Sequence, residues 1–593
     1  MRPLARRLAS AAVLLSLLGP ALRAQDATTA LGATVDARFT DLRWQQRRLS
    51  ELGAPTATVI FFATIECPIV KRYLPRLGAL ARELEARGVV FVVANVGADD
   101  ALVDAAAQVT LNAPACVFAK DFDGELARAC GVDRSATCVV LDAERRLVYR
   151  GRVDDQYGYA GQREAPRRHD LREALDELLA GRAVTTPSTE VSGCAITPRE
   201  AMRADAAAPT YTRDVLPVMQ RHCQECHRPG GQAPFSLLDE AEVRKHSAMI
   251  GEVVGQGRMP PWYGSQAHGA FANHRGMTPE ERAALLGWLA AGRHAGDAAD
   301  APTPVAWPEP GWRIGEPDLV LEVKTPIRIP ADGVIPYRYF VLPFHFVEDT
   351  WVEAIEIKPD NPRVLHHCNL ARVKLGERFS QEGFVTGYVP GGDPMVLDPG
   401  TAVRMPAGSA LALQAHYVTT GDKEIDRLKV GLRFPRTKVQ KELKVTIAAD
   451  FRFQIPPGAR AHPVRARKRM PEDALGIGLF VHMHLRGRDM LVTATPPEGD
   501  EESLLLVPNY NFDWQQSYRW PREGRRFAAG TVVKALAHYD NSTFNPFNPD
   551  PDATIGFGLE TADEMMYAFL FWVGEHEQLG LDVDPKNGHV VAR

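Results

Sequence analysis

The chain lacks the features that would make it a disulfide scaffold, a nucleic-acid binder or a membrane-spanning protein. Its eight cysteines, at 67, 116, 130, 138, 194, 223, 226 and 368, are too few and too scattered for a disulfide framework in 593 residues. Positive charge is in deficit: 69 Lys and Arg against 74 Asp and Glu leave a net charge of −5. That balance excludes the basic surface a nucleic-acid partner requires. Beyond the N-terminus no apolar run is long enough to span a bilayer, so no membrane span is expected. From residue 317 onward the periodicity of long helices is missing as well.

The N-terminus has the order of a secretory signal over residues 1–24. Arg2, Arg6 and Arg7 supply charge, residues 11–18 form a short apolar core, and Ala24 ends a small-residue cleavage site. This segment holds four Arg and no acid, so the remainder carries nearer −9. A periplasmic or secreted protein is expected.

Length suggests several domains. Residues 36–183 alternate strand and helix. Runs 56–64 and 89–96 are continuously apolar, as buried strands are, and 69–87 has helical periodicity after Pro68. Residues 137–142 and 146–153 pattern as a hairpin, and 168–182 as a closing helix. Residues 184–208, rich in Thr, Ser, Pro and Ala, pattern as a linker. Residues 209–298 pattern as helical; Thr278-Pro279-Glu280-Glu281 is a helix start, with an end at Gly292. A Pro-rich linker, 299–316, precedes short alternating strands with Pro and Gly turns. These predict two all-β, jelly-roll-like sandwiches, 317–440 and 441–593, meeting near 435–447.

In the helical region, Cys223-Gln224-Glu225-Cys226-His227 has the spacing of a covalent haem c site. Two thioether bonds and one axial imidazole come from a single helical turn. Met259, between Gly257-Arg258 and Pro260-Pro261-Trp262, is the candidate sixth ligand, with Met249 and Met277 as competitors. The segment resembles class I-type cytochrome c domains of multidomain bacterial proteins, which implies an all-α cytochrome c domain.

Among 17 His, two groupings stand out. His482 and His484 are two residues apart, so they share one face of a strand and can hold one metal. His366 and His367 are adjacent and need a bulge or strand end to do the same. The set His366-His367, Leu413-Gln414-Ala415-His416-Tyr417, His482-Met483-His484-Leu485-Arg486-Gly487-Arg488 and Asp563-Glu564-Met565 resembles the copper type II, ascorbate-dependent monooxygenases in content and order. That resemblance covers roughly the last 270 residues. It implies an electron-transfer copper on His366, His367 and His416, and a dioxygen-binding, catalytic copper on His482, His484 and Met565. A thioether favours Cu(I), the form that reacts with dioxygen. Met566 is the alternative ligand to Met565, and His538 a candidate supporting residue. Two departures matter. Where peptidylglycine enzymes hold a substrate carboxylate with Arg and Tyr, this chain has Phe480 and Phe569. The disulfides of animal members are absent, since the region has only Cys368.

Thr64-Ile65-Glu66-Cys67-Pro68 follows a buried strand and opens a helix, where backbone amides favour a thiolate. The domain resembles the thioredoxin-like, redoxin or peroxiredoxin class. Val70 stands where a dithiol enzyme has its second Cys, and Ser135-Ala136 where a cis-Pro is usual, so dithiol exchange is disfavoured. Cys67 and Cys194 are the candidate redox thiols, with Cys194 as resolving partner.

The expectation is an oxidoreductase: a copper monooxygenase with two copper ions and haem c, taking dioxygen, a small-molecule substrate and an external electron donor. Two alternatives stand beside it. One is a non-catalytic electron-transfer or copper-handling protein, the other a thiol peroxidase with accessory domains.

Overall fold

The computed structural model describes residues 29–591 except 99, 159–160, 164, 197–207, 230, 232, 234, 308–310, 334, 375, 378, 380–382, 421 and 513. The expected signal, 1–24, lies outside the described residues.

The N-terminal domain is thioredoxin-like α/β. Its seven-stranded sheet runs Gln46–Arg48, Arg38–Thr40, Val117–Lys120, Val89–Asn95, Ala57–Ala63, Cys138–Asp142, Leu147–Gly151. The three central strands, from Val117–Lys120 to Ala57–Ala63, are parallel and the outer pairings antiparallel. Ala57–Ala63 is buried along its whole length, which explains a sequence without alternation. Helix Pro68–Leu84 starts immediately after Cys67, with Pro68 in its first turn where no amide partner is needed.

Residues 184–196 depart from the linker expectation. They fold back across the domain as a strap: Arg150 N–H donates to the Pro187 carbonyl, and Arg134 and Ala195 form an antiparallel bridge.

Helices Leu216–His222, Glu240–Lys245, Ser247–Gly255 and Pro279–Ala290 follow, with Val218, Met219, Leu285 and Trp288 in a common core. The last begins with the capping box read from the sequence, Thr278 and Glu281 exchanging hydrogen bonds.

From 317 onward the chain is sheet-rich, and no α-helix occurs there among the described residues. One β unit contains the sheet Arg338–Phe346, Ser409–Tyr417, Leu365–Lys374, Phe384–Tyr388. The other contains Lys444–Ala449, Tyr567–Gly574, Ala474–His482, Ser517–Arg519, and a second sheet His462–Arg469, Val532–Tyr539, Gly487–Thr495, Glu502–Val507. Lys441–Glu442 still pairs with the first unit and Lys444–Ala449 already with the second, so the chain crosses at Leu443. The tail returns to the first unit through Val439–Leu581 and Thr350–His589 bridges.

The α/β domain docks on the second β unit. Arg488 donates to the carbonyls of Pro114 (2.9 Å) and Cys116 (3.2 Å), and buried Arg43 pairs with Asp540. No helix of the described residues is long and apolar enough to cross a membrane.

Candidate functional site

His366 and His367 stand on Leu365–Lys374, and His416 on its antiparallel neighbour Ser409–Tyr417. The pairing register shifts between Leu365 and His367, the irregularity that two adjacent His ligands require. His366 Nδ1 lies 3.0 Å from His367 Nδ1 and 3.3 Å from His416 Nδ1. Nitrogens bound about 2.0–2.1 Å from one ion stand roughly 3–3.5 Å apart, so the cluster has the spacing of a shared cation. Burial, and then the neighbouring imidazoles, hold His367 well below the ordinary histidine range, so it is neutral and its lone pair available. The Tyr337 hydroxyl lies 3.3 Å from His367 Nε2 and orients the ring.

The second histidine pair is braced differently. His482 ends strand Ala474–His482 and His484 lies just beyond it, ring centroids 5.1 Å apart. His482 Nδ1 is 2.7 Å from the Gln515 side-chain oxygen, and His484 Nδ1 is 3.2 Å from the Asp563 carbonyl. Both oxygens are acceptors, so each Nδ1 carries the proton and each Nε2 keeps its lone pair. Burial pushes His482 down to about 4 and His484, with help from His482, to about 3. Glu564 closes the site: its carboxylate accepts from the amides of His484 (2.9 Å), Arg486 (2.6 Å) and Met565 (3.2 Å). The turn carrying Met565 is thereby tied to the His-x-His segment. Arg486, almost fully buried, braces the same turn by donating to the Ala562 carbonyl and to Asn541. Glu564 and Gln515 were not singled out from sequence; for Glu564 the available signal was its place beside Met565.

Met565 packs with Phe384, Tyr567 and Phe569, whereas Met566 belongs to the main hydrophobic core. His538 pairs with Asp489 at 2.7 Å in the second sheet of the same unit.

Phe512 touches both histidine groups. Its ring centroid is 5.7 Å from His366, 5.6 Å from His367 and 5.9 Å from His484. Beside His367 a cleft of about 150 Å³ opens between the β units, with Phe384, Phe480 and Gln515 on its wall. Phe480 and Phe569 are cross-strand partners 5.7 Å apart, and Phe384 lies 4.9 Å from Phe569. The two positions that depart from the peptidylglycine pattern thus form one aromatic surface. Trp262 and Arg275, from the helical region, complete the cleft. They are held there by Gln516 donating to the Pro261 carbonyl (2.7 Å) and Asn273 donating to the Ser517 carbonyl (2.8 Å).

In the helical region Cys223 caps the end of Leu216–His222, and Cys226 and His227 follow in the next turn. His227 Nδ1 donates to the Phe235 carbonyl at 3.2 Å, leaving Nε2 for an axial bond. Burial lowers the His227 pKa, which keeps it neutral. These residues fit a covalently held haem. Met259 is half-buried after helix Ser247–Gly255, its amide bonded to the Val253 carbonyl. Met277 packs on the helical core and Met249 is half exposed.

Cys67 is buried and Cys194 exposed, yet the strap brings them together. Burial raises the Cys67 thiol, but hydrogen bonds from the Ser135 hydroxyl, the Val70 amide, and the amide and thiol of Cys194 outweigh it, and the pKa falls below the ordinary value. The bond to Cys67 correspondingly raises Cys194. Cys116, Cys130, Cys138 and Cys368 are buried, and burial pushes each of their thiols up.

Known proteins resemble the chain over part of its length. The Redoxin family model matches residues 31–164. No curated protein matches the chain. A hypothetical protein from Sinorhizobium meliloti 1021 is 28% identical over 28% of this chain and 93% of its own, with a TM-score of 0.26. An uncharacterized conserved protein from Geobacillus kaustophilus is 26% identical over 30% and 95%, TM-score 0.26. A putative thiol:disulfide interchange protein DsbE from Chlorobium tepidum is 18% identical over 26% and 96%, TM-score 0.20. Residues 31–164 are a redoxin domain of thioredoxin-like fold.

Proposed function

We propose that the chain is a copper-dependent monooxygenase, hydroxylating a C–H bond of a small substrate with electrons delivered through haem c. The observation that carries this reading is the pair of convergent imidazole sets on either side of Phe512. One set has His366 Nδ1 at 3.0 and 3.3 Å from the Nδ1 atoms of His367 and His416, and in the other each Nδ1 has a fixed acceptor, which leaves Nε2 as the ligand atom. Imidazole alone admits several metals; a thioether ligand from Met565, whose backbone amide shares the Glu564 carboxylate with the His484 amide, would select copper as Cu(I). Copper held at these sites supplies one-electron redox chemistry and dioxygen activation, and haem c on Cys223, Cys226 and His227, with Met259 as sixth ligand, supplies a one-electron relay.

The chain's own residues set the conditions. The lowered pKa values of His367, His482 and His484 keep these imidazoles from competing protons at neutral pH. Phe384 and Phe480 line the cleft with apolar surface on the histidine side, which suits a C–H substrate, while Arg275 lies on its other wall. Docking of the 261–275 segment beside Gln515 brings the helical region to the cleft wall. The overall reaction takes R–H, O₂, two electrons and two protons to R–OH and water. An export signal over residues 1–24 suits a periplasmic or secreted site for such chemistry.

The test is metal analysis with a haem stain on the purified full-length protein, followed by oxygen uptake after reduction. Two coppers and one covalent haem per chain, with substrate-dependent uptake, are expected. Less than one copper per chain, together with no uptake on any substrate tried, contradicts the proposal.

A further inference from the structure

We propose, on the reading that Cys223, Cys226 and His227 hold haem and the three-His set holds copper, that Asp393 is a positioning residue. It seats the haem-attachment loop on the first β unit, so that electrons enter at the three-His site.

Asp393 follows a turn that presents acceptors to cations. Gly392 N–H donates to the Val389 carbonyl at 2.9 Å, closing a turn with Pro390 and Gly391 at its corners. Gly391 has the left-handed φ of 72° that the second corner of a Pro-Gly turn demands. A Cβ on Gly392 would stand 2.7 Å from Val389 Cγ2, so glycine suits that position as well. Two guanidinium groups take the acceptors. Arg275 donates to the Gly391 carbonyl and to Asp393 Oδ1, the latter at 3.0 Å. Arg313 donates to the Gly392 carbonyl at 2.7 Å and to the same Asp393 oxygen at 2.8 Å.

These two arginines connect the turn to the helical region. Arg313 is anchored on the first β unit, because its amide and that of Ile314 donate to buried Glu356 at 2.6 and 3.1 Å. Its guanidinium also donates at 3.3 Å to Glu225, which lies between the two haem-attachment cysteines. Arg228, directly after His227, lies over the Trp307 ring, 5.5 Å from its centroid. Arg275 ties down the far end of the helical-region segment that lines the cleft.

On its other side the turn leads to the three-His set. Only Val389 and Pro390 separate Gly391 from Tyr388, the last residue of strand Phe384–Tyr388. Tyr388 is the register partner of Cys368, the neighbour of His367. His367 and Asp393 line the same cleft. The contacts of the helical region with the second β unit use Pro261 and Asn273 instead, away in sequence from the attachment loop.

The side chains of Arg275, Asp393 and Arg313 are 23%, 33% and 40% exposed. Ion pairs this exposed contribute little to stability, but complementary charge fixes the register of two surfaces. Register matters here because electron tunnelling weakens steeply with separation. The step moves one electron from ferrous haem to Cu(II) on His366, His367 and His416, giving ferric haem and Cu(I), with no proton transferred. The external donor supplies the electron to the haem.

The experiment uses the full-length, haem-containing, copper-loaded protein, oxidised and free of dioxygen. A laser-generated flavin semiquinone reduces the haem, and its reoxidation is followed at its visible absorption band. Wild-type reoxidation is expected to be independent of protein concentration, absent without copper, retained in His482→Ala and lost in His416→Ala. Asp393→Asn and Arg313→Gln are each expected to lower the rate by about tenfold or more, with haem midpoint potential, copper content and Tm unchanged. Asp393→Glu is expected to restore most of it. Far-UV circular dichroism verifies the fold, and Arg313→Gln, which leaves both carboxylates in place, carries the test where Asp393→Asn does not fold. Less than one copper or no covalent haem per chain fails the reading above and this proposal with it. With both present, an unchanged rate in the two charge variants, or reoxidation that survives His416→Ala and is lost in His482→Ala, overturns the proposal alone.

Discussion

The two histidine clusters reach a similar outcome by opposite means. His366, His367 and His416 are assembled by the register of two neighbouring strands and one bulge, and their Nδ1 atoms face one another directly. His482 and His484 sit at and beyond a strand end and depend on Gln515, the Asp563 carbonyl and the Glu564 bracket to be aimed. A site built into a sheet is preformed, whereas a site built from loops is only as good as the residues around it. The two clusters should therefore respond differently to changes outside the ligands themselves.

The sharpest way to separate them is to remove a ligand. His482→Ala is expected to lower copper from two to one per chain and abolish substrate-dependent oxygen uptake, with the haem spectrum unchanged; elemental analysis and an oxygen electrode measure both. Next in size is Glu564→Ala, which leaves three buried amides without their acceptor, at about 1–3 kcal/mol each. A lower Tm and loss of copper from the His482 site, with the three-His site still loaded, is expected. Equal loss from both sites would break the distinction. Gln515→Leu removes the partner of His482 Nδ1 together with a donor to the Phe512 carbonyl, and copper affinity at that site is expected to fall about 10–100-fold by competition with a chelator. Tyr337→Phe is the smallest change, expected to weaken the three-His site less than tenfold, because strand pairing still positions the rings.

Local features were readable in the sequence where one element determines them. The unbroken apolar run became the fully buried strand Ala57–Ala63, and Thr278-Pro279-Glu280-Glu281 became a capped helix. The thioredoxin-like class of the N-terminal domain and the sheet-rich nature of the chain beyond 317 were legible for the same reason. What stayed hidden depends on contacts between distant residues, which leave no periodic trace. Cys194 was read from the sequence as partner to Cys67, but the strap that carries it was not, because composition marks those residues only as a linker. Phe512 has no motif around it, yet its ring lies against both histidine groups. Trp262 and Arg275 belong in sequence to the helical region and in space to the cleft between the β units.

X-ray absorption at the copper edge of the reduced, copper-loaded protein tests the two-site account most directly. The account predicts two coppers per chain, nitrogen ligands at both, and a sulfur shell that disappears in Met565→Leu. Absence of a sulfur shell in the wild-type protein, or its persistence in the variant, would contradict it.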